Sequence, residues 1–380
     1  MGIFLKISSH IKKENFKKNV NKYLALLEST KCDIKFRDYS NKKILFVLPE
    51  VSCSSGGINS LLKLGHFLTN CGREIFYTCN TKLKVSDCTN ILKRNYDCQI
   101  TFLEFKDTIA SAPYQFVVTT YFLTFGDSFK IEGNHIIFLQ DFEPFFYEKG
   151  DMDFIFKECI EKHIFCITLG QRIKDKLIEN HIFDSDRIKS IQFPVDLSYY
   201  NEKREYINRN EVSIVVYNRR TSRRLPFVAE WLAINLQNEF AKHNINCKVY
   251  LFGNNHKRKY KSKSIIDLGI INKEMAISLY EKADFGISLS CTNVSLVPFE
   301  MTLSGLPLIL LRGDSFEGYL GDDCFYYDSI DHLCKCMTDY LLLDSTSKKR
   351  LAIKRISKIK DNDWYKTAQD FSNTLNICKK

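Results

Sequence analysis

Apolar residues along this chain fall into two alternating rhythms. Short continuous runs read as buried strands, and longer stretches with apolar positions three and four apart read as helices. From Lys43, KILFVLP is a buried-strand run, SCSSGG a flexible turn, INSLLKLGHFLTNCG a helix closing at Gly72, and EIFYTCN a second strand. Further strand-like runs recur at Gln99 to Phe105, Gln115 to Tyr121, His135 to Leu139 and Ile164 to Leu169, with helical segments such as QRIKDKLIENH following. The rhythm breaks at IQFPVDLSYYN and the charged stretch EKREYINRNE. It then restarts with strand VSIVVY, helix PFVAEWLAINLQNEFAKH, strand CKVYLFG, a helix over Lys273 to Ala283, strand FGISLS, a helix after Pro298, strand LPLILL and a helical tail.

Strands alternating with helices predict parallel sheets clothed by helices. Two such halves predict two doubly wound, Rossmann-like α/β domains facing a central cleft, where the carboxyl ends of the strands meet ligand. The boundaries fall at 1–195 for a first domain with an N-terminal helix, 196–355 for a second domain, and 356–380 for a C-terminal helix.

Composition narrows the function classes. The 380 residues are 44% hydrophobic and 26% charged, ordinary globular material long enough for two domains. Lys and Arg exceed Asp and Glu by 55 − 45 = 10, which favours polyanions, anionic lipid surfaces or phosphorylated small molecules. The basic residues cluster in loops without an aromatic-basic stripe, which argues against nucleic acid. No run of eighteen apolar residues suggests a membrane span.

Residues 4 to 30 read as a basic amphipathic helix, with Ile11, Phe16, Val20, Tyr23, Leu24 and Leu27 at roughly helical spacing. Packing on the domain is favoured over a membrane-surface anchor, and the alternative leaves peripheral contact with an anionic membrane open. Gly2 is followed by Lys6 where a myristoylation signal needs Ser or Thr. Fourteen cysteines are scattered without a Cys-x-x-Cys pair, and the densest cluster, His332, Cys334 and Cys336, is a poor metal set. Reduced thiols and a cytoplasmic location, with the inner face of a membrane as the alternative, are expected. HKRKYKSKS at 256 to 264 reads as a solvated basic loop.

Three stretches carry candidate chemistry. SCSSGGINS sets Gly56 and Gly57 between a strand and a helix, where backbone amides and the helix dipole attract an anion; a structural tight turn reads the same. It is neither a dinucleotide fingerprint nor a P-loop. YNRRTSRRLP places Arg219, Arg220, Arg223 and Arg224 directly after a strand. Guanidinium forks match diphosphate oxygens, so this is a candidate clamp, with two of the four left as solvated turn residues. In SLVPFEMTLSGLPLI, Pro298 as the first helical residue sets Glu300 in the first turn, where a carboxylate suits the helix end or accepts from paired ribose hydroxyls.

Together these residues resemble the retaining, nucleotide-sugar-dependent glycosyltransferases of the GT-B fold, family 4. PEVSCSSGGINSLLKLGHFLTNCG resembles the family's glycine loop and following helix, IQFPVDLSYYN its linker entry, and ADFGISLSCTNVSLVPFEMTLSGLPLI its donor-binding signature. The Trp364-Tyr365 helix resembles the segment that crosses back onto the first domain. HIIFLQDFEPFFYEKG and the pairing of YNRRTSRR with SLVPFEM are most similar to the rhamnan-synthesis type, whose donor is dTDP-L-rhamnose.

The resemblance implies that Arg219 and Arg224 hold the donor diphosphate and that Glu300, the second glutamate of E-x7-E, meets the ribose. Thr292 replaces the first glutamate, so Thr292 and Asn293 would offer neutral hydrogen bonds to the sugar. Phe193 stands where the linker pattern often has Asn. The implied transfer is metal-independent, needs no cofactor because the nucleotide-sugar is a substrate, and relies on positive charge at the leaving diphosphate. GDD at 321 to 323 reads as a surface turn, and Asp141, with Gln140 beside it, is the candidate acceptor-side base or, equally, a cap.

The expected partners are a nucleotide-sugar and a surface-polysaccharide or lipid-linked glycan acceptor. Alternatives keep the fold with a UDP- or GDP-sugar donor, or make the chain a catalytically silent binding subunit.

Overall fold

The computed structural model describes residues 2–30, 35–53, 55–94, 99–201, 204–206 and 211–378. Within the helix Gly2–Ser29, side chains are described at Glu14 and from Phe16 onward. Part of EKREYINRNE and the Ile11 side chain lie outside the described residues. The chain forms two compact units, 1–193 with 364–380, and 194–363.

The first unit is built on β1 (Lys43–Val47), β2 (Glu74–Thr78), β3 (Tyr114–Thr119), β4 (Gly133–Leu139), β5 (Phe165–Leu169) and β6 (Ile188–Ile191). They form one parallel sheet in the order β2-β1-β3-β4-β5-β6. β3 and β5 are buried at every position, the signature of strands covered on both faces.

The expected strand at Gln99 to Phe105 is reduced to one bridge, Tyr77 to Phe102, because the chain turns into a short helix, Phe105–Ala110, at that point. β6 was hidden in the sequence because only its two end residues, Ile188 and Ile191, are buried.

The second half of the helix Gly2–Ser29 packs on this unit. Val20, Tyr23, Leu26 and Leu27 meet the core around Phe122, Phe125, Ile155 and Phe156, while Phe16 and Leu24 stay exposed. The C-terminal helix Trp364–Ile377 lies against the helix Gly56–Asn70. Its Phe371 is fully buried between Phe46 and Phe138, with ring centroids 6.2 and 5.2 Å away. Arg73 fastens the same helix: Nε donates to Ser372 Oγ at 3.0 Å, Nη1 to Gln115 Oε1 at 2.7 Å and Nη2 to Asn376 Oδ1 at 2.9 Å.

The second unit holds β7 (Glu211–Tyr217), β8 (Asn246–Phe252), β9 (Ile265–Asp267), β10 (Phe285–Ile287), β11 (Leu308–Leu310) and β12 (Phe325–Tyr326). These are again all parallel, ordered β12-β11-β10-β7-β8-β9. The helices Pro226–Lys242 and Ile330–Leu342 bury Leu232, Leu236, Phe240, Leu333, Cys334 and Met337 against Ile214, Val216, Val249 and Ile287. Cys334 is thus a core residue, while Cys336 Sγ lies 3.5 Å from His332 Nε2 on the exposed side. The GDD triplet forms a short 3-10 turn whose Asp323 pairs with Lys354 and Lys358.

Candidate functional site

In an open parallel sheet, ligands bind beyond the carboxyl ends of the strands, where the strand order reverses direction. In the second unit that reversal lies between β7 and β10, which are neighbours although two strands intervene in sequence. The loop after β7 carries the four arginines and the loop after β10 carries Thr292 and Asn293. Both therefore leave the sheet at the same edge.

They are bonded to each other. Arg224 Nη1 donates to the Asn293 carbonyl at 2.8 Å, and the Cys291 amide donates to the Arg223 carbonyl at 3.0 Å. Arg224 is the last residue of a single 3-10 turn, Ser222–Arg224, followed by Leu225 in the left-handed region at φ 47°. Arg219 is half-buried and Arg220 exposed. The Arg220 amide donates to Asn254 Oδ1 at 2.8 Å, tying in the end of β8. Gly253 makes this approach feasible, since at φ 108° a Cβ there would lie 2.8 Å from the Tyr217 ring.

Thr292 and Asn293 are both buried. Their loop is pinned from the loop after β11, where Asp314 Oδ2 accepts from the Ser290 amide at 2.8 Å, and from within, where Ser290 Oγ donates to the Asn293 carbonyl at 2.7 Å.

Glu300 sits on the helix Leu296–Leu303, but not in its first turn. The helix begins at Leu296, so Pro298 is its third residue and Glu300 its fifth. A proline is tolerated there because first-turn amides lack intrahelical acceptors. Dipole stabilisation at a helix start thus gives way to a side-chain contact. The half-buried carboxylate lies near the Tyr199 hydroxyl, which burial first and the Glu300 charge second push above its ordinary pKa. Gly286 lets this helix press onto β10, because a Cβ there would lie 2.8 Å from Met301 Sδ.

The first unit brings together Gly56, Gly57, Gln140 and Asp141. Gly56 and Gly57 open the helix Gly56–Asn70 rather than forming the turn before it. Ser55 caps that helix, its Oγ accepting from the Ile58 amide at 3.4 Å. A Cβ on Gly57 would lie 3.7 Å from Gln140 Nε2. Asp141 is buried just beyond β4, and its Oδ1 accepts from the Phe142 amide at 2.8 Å, the local bond of a turn cap. Nearby, Glu143 is buried and accepts from the Phe122 amide at 2.8 Å, and the Tyr121 and Tyr147 hydroxyls are hydrogen-bonded to each other.

No protein-family model matches this chain, and no curated protein matches it in sequence. Solved structures do. A glycosyltransferase from Rickettsia africae matches with a TM-score of 0.66 at 14% identity, over 90% of this chain and 100% of that one. HepE from Anabaena, in complex with UDP and glucose, gives 0.68 at 12% identity over 88% and 100%. A variant of S. aureus TarM, in complex with fondaparinux, α-GlcNAc-glycerol and UDP, gives 0.67 at 10% over 88% and 100%. The chain has the GT-B fold.

Within this GT-B chain, sequence reasoning passed over Asn218, Tyr199, Gly253, Asn254 and Asp314. Asn218 Nδ2 donates to Glu230 at 3.2 Å, and the other four position the candidate residues. The only local signal was Gly253-Asn254 at a strand end; Tyr199 and Asp314 act across the fold and leave no spacing to read. Among the described residues no group of three His, Cys, Asp or Glu is placed to hold a metal ion, and no helix is long and apolar enough to cross a membrane.

Proposed function

We propose that this chain transfers a sugar from a nucleotide-sugar to a glycan or lipid-linked acceptor. The observation carrying this reading is the junction of the β7 and β10 loops, where Arg224 is bonded to the Asn293 carbonyl at the reversal of strand order. A guanidinium held there suits a diphosphate, and it keeps its charge while negative charge grows on the leaving group. Arg219 joins it as a second cation.

Glu300 accepts from the ribose hydroxyls, with Tyr199 orienting its carboxylate. Thr292 and Asn293 meet the donor sugar through neutral groups, which suits a deoxyhexose. On the first unit, Gly56 and Gly57 present first-turn amides suited to an anion, and Asp141 is the proposed acceptor-side group. The transfer we propose proceeds with retention and without metal, in the manner of family 4. The rhamnan-synthesis resemblance makes dTDP-L-rhamnose the first donor to try, and UDP, bound by HepE, is the second nucleotide.

Thermal-shift titration with dTDP and UDP tests the site. Wild-type protein is expected to be stabilised by one of them, and Arg224→Ala to lose that protection while the empty protein melts within a few degrees of wild type. Equal protection of the variant rejects the clamp. Incubation with dTDP-, UDP- and GDP-sugars and a lipid-linked acceptor tests the reaction, and nucleotide binding without transfer to any acceptor would indicate a silent binding subunit.

A further inference from the structure

The loop after β8 and the outer face of the helix Pro226–Lys242 form a surface the proposed reaction does not use. Residues 256–263 read His-Lys-Arg-Lys-Tyr-Lys-Ser-Lys, five Lys or Arg in eight residues with no acid. All five are exposed. Arg258 is the one drawn inward: its amide donates to Asp267 Oδ2 at 2.9 Å, and its Nη1 lies 3.4 Å from Glu230 Oε2. Those two acids are thereby engaged, and Lys257, Lys259, Lys261 and Lys263 have no ion pair among the described residues.

Beside this loop the helix turns large apolar side chains outward. Phe227 is 65% exposed, Trp231 47% and Val228 37%. At i, i+1 and i+4 they share one side of the helix. The inward side, Ala229, Leu232, Ala233 and Leu236, already covers the sheet, so burial of the sheet does not account for them. The Arg258 guanidinium lies 6.0 Å from the Phe227 ring centroid, which places the cationic loop and the aromatic face side by side.

Cations flanking exposed aromatic and aliphatic side chains match a phospholipid surface. The lysines meet anionic headgroups, and Trp and Phe enter the interface. We propose that this face of the second unit docks on an anionic membrane. The inference needs the acidic lipid surface as its occupant because a protein partner would have to supply matching acids around an apolar socket. It stands independently of the sugar-transfer reading.

The test is co-sedimentation of the full chain with phosphatidylcholine vesicles and with vesicles also containing phosphatidylglycerol. Binding is expected to the second kind and to weaken as salt rises. Phe227→Ser with Trp231→Ser, and separately Lys257→Glu with Lys259→Glu, are each expected to lower the partition coefficient about tenfold. These side chains are exposed, so folding is expected to survive, and nucleotide protection of the same variants is expected to equal wild type.

Absence of binding to anionic vesicles overturns the proposal. So does wild-type binding by both double variants, most directly if Lys17→Glu with Lys18→Glu on the first helix removes it. Unchanged vesicle binding alongside lost binding of a single-stranded DNA oligonucleotide would reassign the surface to nucleic acid. Lost nucleotide protection in wild-type protein would instead count against the proposed function and leave the docking surface standing.

Discussion

At the residue scale, two kinds of position are separable. Arg224 and Glu300 spend charge at the edge of a sheet, whereas Gly65, Gly253 and Gly286 are defined by what a side chain would strike. Glu300→Ala removes a charged acceptor, a loss of about 1.5–3 kcal/mol in hydrogen bonding. Titration is expected to show nucleotide binding weakened by about tenfold to a hundredfold, with little change in melting temperature. Gly65 lies on the helix Gly56–Asn70 against β2, and an added Cβ would fall 1.8 Å from the Tyr77 hydroxyl oxygen. Gly65→Ala is expected to destabilise by about 1–3 kcal/mol in urea unfolding, and Tyr77→Phe in the same chain to recover part of that loss.

Residue identities of this kind are visible in the sequence as types. Four arginines after a strand, or a glutamate near a proline, announce a charge that needs a purpose. Which partner each one meets is not visible, because Tyr199 and Glu300 are separated by a hundred residues of chain.

At the element scale, the C-terminal helix Trp364–Ile377 is held by buried side chains, Trp364, Phe371 and Leu375 among them, and by the Arg73 guanidinium. Arg73 is buried, its pKa drawn down by that burial, and the hydrogen-bond acceptors named for it are all neutral. Arg73→Ala strands Gln115, Ser372 and Asn376 and is expected to cost about 2–4 kcal/mol in urea unfolding, with no rescue by Arg73→Lys, which lacks the fork. Phe371→Ala empties the space between Phe46 and Phe138 and is expected to cost about 3–5 kcal/mol by the same measurement.

A long element with strong period, Gly56–Asn70, follows its apolar spacing closely. Short edge elements do not. β9, β12 and the bridge at Phe102 have too few residues for a pattern, and their backbones pair because neighbouring strands offer an edge.

At the scale of the whole molecule, a buried histidine pair makes stability depend on pH. His163 Nε2 is bonded to Thr119 Oγ1 at 2.8 Å and its Nδ1 to the Cys159 carbonyl at 2.9 Å, while His135 stacks on Phe129 with centroids 4.1 Å apart. Burial lowers the pKa of His163 to about 4, and burial followed by the neighbouring His163 lowers that of His135 to about 3. An unfolded histidine titrates near about 6.5, so the unfolded chain binds more protons between these values. The contribution of this pair is therefore complete above about pH 6.5 and is lost as pH falls through about 4 and 3. Melting temperature against pH is expected to show that slope, and His135→Leu with His163→Gln to flatten it.

The sequence by itself determined that the chain is α/β, that its sheets are parallel and two in number, and which residue types crowd the strand ends. Those properties follow from apolar periodicity and turn chemistry, which act over a few neighbouring residues. Tertiary structure decided the strand order, and with it that the loop after β7 meets the loop after β10 and that Glu300 answers to Tyr199. Such pairings depend on which distant strands share backbone hydrogen bonds, a choice made by burial of whole faces and invisible to any local pattern.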